Sequence, residues 1–151
     1  MKILGLSSIA SRLVDFAPLV ARLIVGIIMA THGWQKLSGG PANFGETFLA
    51  NVGVPLPIFM AYVVTFTELI GGILLILGLL SRLAALALTI DLVMAMLLVS
   101  GLAELELSLT AGFLVVLLAG PGKFSLDYAL GIEGSVVEGS ADREARVRDT
   151  R

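Results

Sequence analysis

The chain has 151 residues, 57% of them apolar, with a formal net charge of -2 and a mean hydropathy of +0.98. Soluble domains are usually about 45 to 50% apolar, so this is the composition of a membrane protein, and the small net charge argues against a nucleic-acid partner. With no cysteine the chain makes no disulfide, runs no thiol chemistry and holds no iron–sulfur cluster by itself.

The first element expected is an amphipathic helix on the membrane surface, because Leu6, Ile9, Leu13 and Phe16 recur at intervals of three and four. Arg12 and Asp15 interrupt any signal-peptide apolar region, so this segment is expected to be retained. The first span follows as "APLVARLIVGIIMATHGW", residues 17–34. It is broken by Arg22 and bounded by Trp34 and Lys36, residue types that anchor helix ends at the interface. In the connection, "QKLSGGPANFGETFLANVGVP", Phe44, Phe48 and Leu49 can line one side of a short interfacial helix.

The second span, residues 57–80, opens on a proline and carries Glu68 near its middle. The third, residues 83–101, follows Arg82 almost without a loop, which predicts an antiparallel hairpin, and it contains Asp91. The fourth, residues 103–120, spans the hydrocarbon only with Glu104 and Glu106 in an interfacial first turn, where carboxylates suit a helix N-terminus. "GPG" at 120–122 ends it. From Gly131 onward periodic apolar residues are missing, which predicts a disordered tail. The expected architecture is therefore all-α: an integral membrane four-helix bundle over residues 1–130, with an N-terminal amphipathic helix and a flexible cytoplasmic tail over 131–151. Lys2, Arg12, Arg82, Lys123 and the tail arginines fall on one side of four crossings. By the positive-inside rule this places both termini in the cytoplasm of a multi-pass inner-membrane protein.

A charge in hydrocarbon costs roughly 3 kcal/mol on insertion scales, so Arg22, Glu68 and Asp91 need partners or a task. At 1.5 Å per residue their depths from the cytoplasmic side are roughly 7, 18 and 13 Å, which predicts an Arg22, Asp91, Glu68 ladder between antiparallel neighbours. Thr65, Glu68 and Gly72 share one helix face, and Ala84, Ala87, Asp91 and Ala95 another, so both faces suit close packing around polar groups. Such a ladder either fixes helix register or handles protons. His32 is the single histidine, which rules out bis-histidine haem ligation by one chain, and no zinc spacing occurs. Gly71 and Gly72 lie mid-helix and are packing residues, with no phosphate-loop pattern around them. Neither metal nor nucleotide is expected.

Three stretches, "ARLIVGIIMATHGWQKL", "ELIGGILLILGLLSR" and "GPGKFSLD", in that order and at these separations, resemble the DoxX family of small four-helix membrane proteins. The resemblance covers roughly residues 17–130. The matching positions are Arg22, His32, Gly33, Lys36, Glu68, Gly71, Gly72, Arg82, Gly120, Pro121, Gly122 and Asp127. It implies a link to oxidoreductases, because some relatives look like subunits of a thiosulfate:quinone oxidoreductase. The leading expectation is a membrane subunit of a quinone-linked oxidoreductase, not catalytic alone. Its electrons would come from a partner subunit carrying a redox centre. Glu68, Asp91 and Arg22 form the expected proton or charge cluster, and His32, Trp34 and Lys36 the expected quinone contacts. A homo-oligomer in lipid fits the same reading. The competing classes are a non-enzymatic scaffold for a soluble redox or stress enzyme, and a small proton-coupled transporter using Glu68.

Overall fold

The computed structural model describes residues 4–98 and 104–132, with side chains from Phe16 onward. The tail expected beyond Gly131 lies almost wholly outside the described residues. The long helices are α1 (Leu4–Gly39), α3 (Pro57–Leu77), α4 (Ser81–Leu98) and α5 (Glu104–Ala119). Between them lie the short α2 (Pro41–Phe44), which continues as a π-helical turn (Gly45–Leu49), and the closing α6 (Leu126–Ala129). Among the described residues there is no strand.

Among the described residues three helices are long and apolar enough to cross a membrane: Phe16–Gly39 within α1, Pro57–Leu77 and Ser81–Leu98. The 16 described residues of α5 reach about 24 Å, and the stretch just before them lies outside the described residues. At the start of the chain the expected N-terminal helix runs directly on into the first span, and Pro18 sits inside one 36-residue helix.

The four long helices form a closed ring in which α1 packs on α3, α3 on α4, α4 on α5 and α5 back on α1. Val25 and Met29 of α1, Leu75 of α3, Leu88 and Leu92 of α4, and Phe113 and Val116 of α5 fill its centre. Outward faces are also apolar, with Phe59, Phe66, Ile70, Leu83, Ile90 and Leu118 exposed, as lipid contact requires. The tightest seam joins α1 to α3. A Cβ on Gly26 would stand 2.9 Å from the Gly72 carbonyl oxygen, and one on Gly72 would strike the Ala30 backbone. Gly33 lies against Leu69 in the same way. Lipid gives no hydrophobic drive for helices to associate, so this backbone-to-backbone contact is what pairs them. The order of the contacts, 26 with 76, 30 with 72 and 33 with 69, shows the two helices to be antiparallel.

At one end of the bundle the "GPGKFSLD" segment is tied down by polar groups. Arg22, 1% exposed, donates from Nη1 to the Pro121 carbonyl at 2.6 Å and from Nη2 to the Phe124 carbonyl at 2.7 Å. Asp127, also buried, accepts from the backbone N–H groups of Leu80 and Ser81 at 2.6 and 2.8 Å. It thereby caps α4, whose first N–H groups have no partner within the helix. Its own N–H donates to the Gly78 carbonyl. Gly78 closes α3 at φ +70 with the Arg22 guanidinium stacked against it; no side chain fits there. Phe16 stacks on Phe124 at 4.7 Å between ring centroids.

Candidate functional site

The other half of the bundle holds a second set of buried charges. Glu68 sits on the face of α3 that carries Thr65 and Gly72, all three buried against the neighbouring helices, and is only 3% exposed. Lys36, near the end of α1, donates from Nζ to Glu68 Oε1 at 2.5 Å. The other carboxylate oxygen, Oε2, is buried without a hydrogen-bond partner. The Lys36 ammonium also lies 5.1 Å from the centre of the Phe44 ring, so an aromatic face and a carboxylate hold it together. Asp91 on α4 is half-buried and within electrostatic range of both Glu68 and Lys36. The register agrees: Gly71 meets Leu88, and in an antiparallel pair this sets position 68 level with 91.

The expected ladder is thus corrected at one end. Glu68 and Asp91 come together, but Arg22, midway along α1, belongs to the cluster at the opposite end of the bundle, where two carbonyls and Asp127 occupy it. The cause is register first, with side-chain direction adding to it: with Ala30 opposite Gly72, Glu68 is level with position 34, about 18 Å along the axis from Arg22. Every Cα–Cβ bond in a helix tilts toward the N-terminus, so Arg22 leans away from Glu68. Lys36 leans back into the membrane toward it, and Glu68, on an antiparallel helix, leans toward Lys36. A depth computed along the axis omits this tilt. Lys36, which the sequence suggested as an interfacial anchor, is instead a buried carboxylate's partner, with its side chain 24% exposed.

An open cleft of about 440 Å³ adjoins the pair, lined by His32, Gln35, Lys36, Gly39 and Gly40 of α1 and the following turn, and by Asn43, Phe44 and Thr47. The short α2 and π-helical turn form one wall. Gly45 lets that wall approach α3, since a Cβ there would stand 2.8 Å from the Pro57 carbonyl. Phe44 and Phe48 stack at 5.4 Å along the face the sequence had marked. His32 and Lys36 therefore lie together in the cleft as expected. Trp34 does not: it is 61% exposed and points away, because two positions along a helix turn a side chain by about 200°. Gln35, Asn43 and Thr47 were not singled out from the sequence. Their signal lay in the connection's length, which exceeds what a plain turn needs. Among the described residues no three His, Asp or Glu side chains gather as a metal site would require.

The cleft offers hydrogen-bond donors from His32, Gln35, Lys36 and Asn43 beside the aromatic face of Phe44. Behind it lies a carboxylate pair with one unpartnered oxygen. The arrangement can hold a flat, partly apolar molecule by its carbonyl oxygens and exchange a proton close by.

Comparisons with known proteins agree with the fold. The DoxX family profile matches residues 17–101. An uncharacterized membrane protein of Mycobacterium tuberculosis is 34% identical over 128 residues, covering 72% of this chain and 78% of its own. The inner membrane protein YqjF of Escherichia coli is 33% identical over 128 residues, covering 79% of this chain and 95% of its own. A Bacillus subtilis protein named "Putative oxidoreductase CatD" is 37% identical over 79 residues, 52% of this chain and 56% of its own. No solved structure matches.

Proposed function

The chain belongs to the DoxX family of membrane proteins, and from that premise we infer that it is the membrane subunit of a quinone-linked oxidoreductase, working with a partner subunit that carries the redox centre. The observation that carries this reading is the cleft in which His32 and Lys36 stand beside Phe44, with the buried Glu68 directly behind Lys36. One relative's name as an oxidoreductase points the same way.

A bound quinone would supply two-electron, two-proton chemistry at its carbonyl oxygens. Lys36 and His32 donate hydrogen bonds where those oxygens would sit, and Phe44 supplies a ring face. The free Oε2 of Glu68 fits the second requirement, a proton-exchanging group close to the donors. With Lys36, Glu68 and Asp91 all ionised the cluster carries a charge of -1, and a single proton makes it neutral. In hydrocarbon the neutral cluster is the cheaper one. Glu68 and Asp91 together thus hold one exchangeable proton.

We place both termini on the cytoplasmic side, since the basic residues outside the spans segregate there. This sets the cleft at the outer face. A reporter fused at Ala42 is expected to read the outer side, and a cytoplasmic reading there would reverse the orientation. For the ligand, the test is purification in mild detergent without crosslinking, followed by extraction and identification of bound quinone. Bound quinone is expected in the unaltered chain and reduced about tenfold by His32→Phe, about the effect of one hydrogen bond. Equal quinone content in the variant and in an unrelated membrane protein would defeat the reading.

A further inference from the structure

Among the described residues Lys36 alone both lines the cleft and pairs with the buried carboxylate. Its four-carbon stem carries a point charge that can donate in several directions; two acceptors, Glu68 Oε1 and the Phe44 ring, adjoin it, and its remaining side faces the open cleft. Glu68 is 97% removed from solvent and has no second donor, because Oε2 is unpartnered and the nearby Thr65 hydroxyl donates to the Ala61 carbonyl. When Lys36 turns to a ligand, nothing replaces it on Glu68.

We propose that Lys36 couples occupancy of the cleft to proton uptake: a carbonyl-bearing ligand draws the ammonium off Glu68, and the abandoned carboxylate, beside Asp91, takes one proton from the medium. This deepens the quinone-linked reading of the same cleft and rests on it. The step is balanced. At rest the pair's one proton is on Asp91, while Glu68 is ionised against Lys36. Lys36 keeps its charge throughout, and as it turns to the cleft a second proton arrives on Glu68, leaving two neutral carboxyls behind and raising the net charge by one. An unpaired carboxylate in an apolar interior neutralises rather than remaining charged. The order of events follows: the proton is loaded before any electron arrives, so it is in place at the donor side of the cleft when reduction needs it.

The other titratable groups at this end act differently. His32 lines the cleft. Glu46 and Glu104 are exposed, and Glu106, in the first turn of α5, is half-buried with one buried oxygen unpartnered. None of the three glutamates is an acceptor of Lys36, so none loses a partner when it moves.

Infrared difference spectroscopy on the detergent-solubilised chain, before and after adding a short-tailed benzoquinone without reductant, reads this directly. The expected result is a new carboxylic-acid C=O band, shifted in D₂O, with about one proton taken from the medium per quinone bound. Glu68→Gln is expected to bind quinone and show neither band nor uptake, whereas Glu106→Gln keeps both. Lys36→Arg keeps the ligand-induced band, and Lys36→Met shows without ligand the additional carboxylic-acid band that the unaltered chain gains only on binding. Quinone binding with no band and no uptake in the unaltered chain would overturn the coupling and leave the quinone reading intact. An absence of any quinone binding would remove both.

Discussion

Replacement of Arg22 by leucine is expected to destabilise the bundle by about 3 to 5 kcal/mol, the range seen when one partner of a buried charged pair is removed from soluble proteins. The substitution strips two buried carbonyls, Pro121 and Phe124, of their donors. It also takes from Asp127 the positive charge in its field, while Asp127 still has to cap α4 through Leu80 and Ser81. Leu80 holds a positive φ of +48, a conformation a branched side chain adopts only under constraint. Loosening Asp127 therefore releases the α3–α4 connection as well. Arg22→Lys is expected to recover only part of the loss, since one ammonium does not reach two carbonyls as a guanidinium fork does. Denaturation in mixed micelles measures both variants. An Arg22→Leu chain as stable as the parent would show the cluster to be ornamental.

The second large effect is on activity. Glu68→Gln keeps the size of the side chain and can still accept from Lys36, but it carries no exchangeable proton. On the proposed function, we expect a folded chain with near-parental stability whose quinone-dependent turnover, in the proposed complex with a partner subunit, falls by roughly 10²- to 10⁴-fold, the usual worth of a general acid or base. Asp91→Asn removes the second carboxylate and not the residue that faces Lys36, so a smaller loss is expected. Full turnover of Glu68→Gln in a preparation that contains partner and quinone would leave the Lys36–Glu68 pair a purely structural one.

The class, the helices and the pairing of α3 with α4 were legible because each rests on a one-dimensional property: apolar length, a short turn, or small residues at helical spacing. Glu68 and Asp91 were expected in one ladder but about 5 Å apart in depth, and the contact of Gly71 with Leu88 brings them level. Arg22 was placed too near the carboxylates because each helix was counted from its own end, whereas the observed register sets Glu68 level with position 34. Lys36 was read as an anchor because a depth count ignores the direction in which a long side chain leaves its helix. Trp34 failed for a related reason, since neighbours in sequence two positions apart face opposite sides. The cleft was out of reach, because its second wall depends on how a five-residue π-helical turn folds against α3, and a glycine at position 45 shows only that some close approach occurs there. The uninterrupted course of α1 through Pro18 has a similar origin. A proline inside a helix loses an internal hydrogen bond and crowds the carbonyl four residues back, and sequence pattern does not say whether packing offsets that cost.

The account turns on one division of labour: Arg22 fastens the chain's closing segment, and Lys36 serves Glu68. A pair of double-mutant cycles measured by unfolding in mixed micelles tests it, using Lys36→Leu with Glu68→Leu and Arg22→Leu with Glu68→Leu. Contacting residues couple by about 0.5 to 3 kcal/mol and distant ones add within about 0.5 kcal/mol. The first cycle is expected to show coupling near the top of that range, with the double variant recovering much of what either single change loses, and the second to be additive. Coupling of Glu68 to Arg22 with none to Lys36 would contradict the account and restore the ladder.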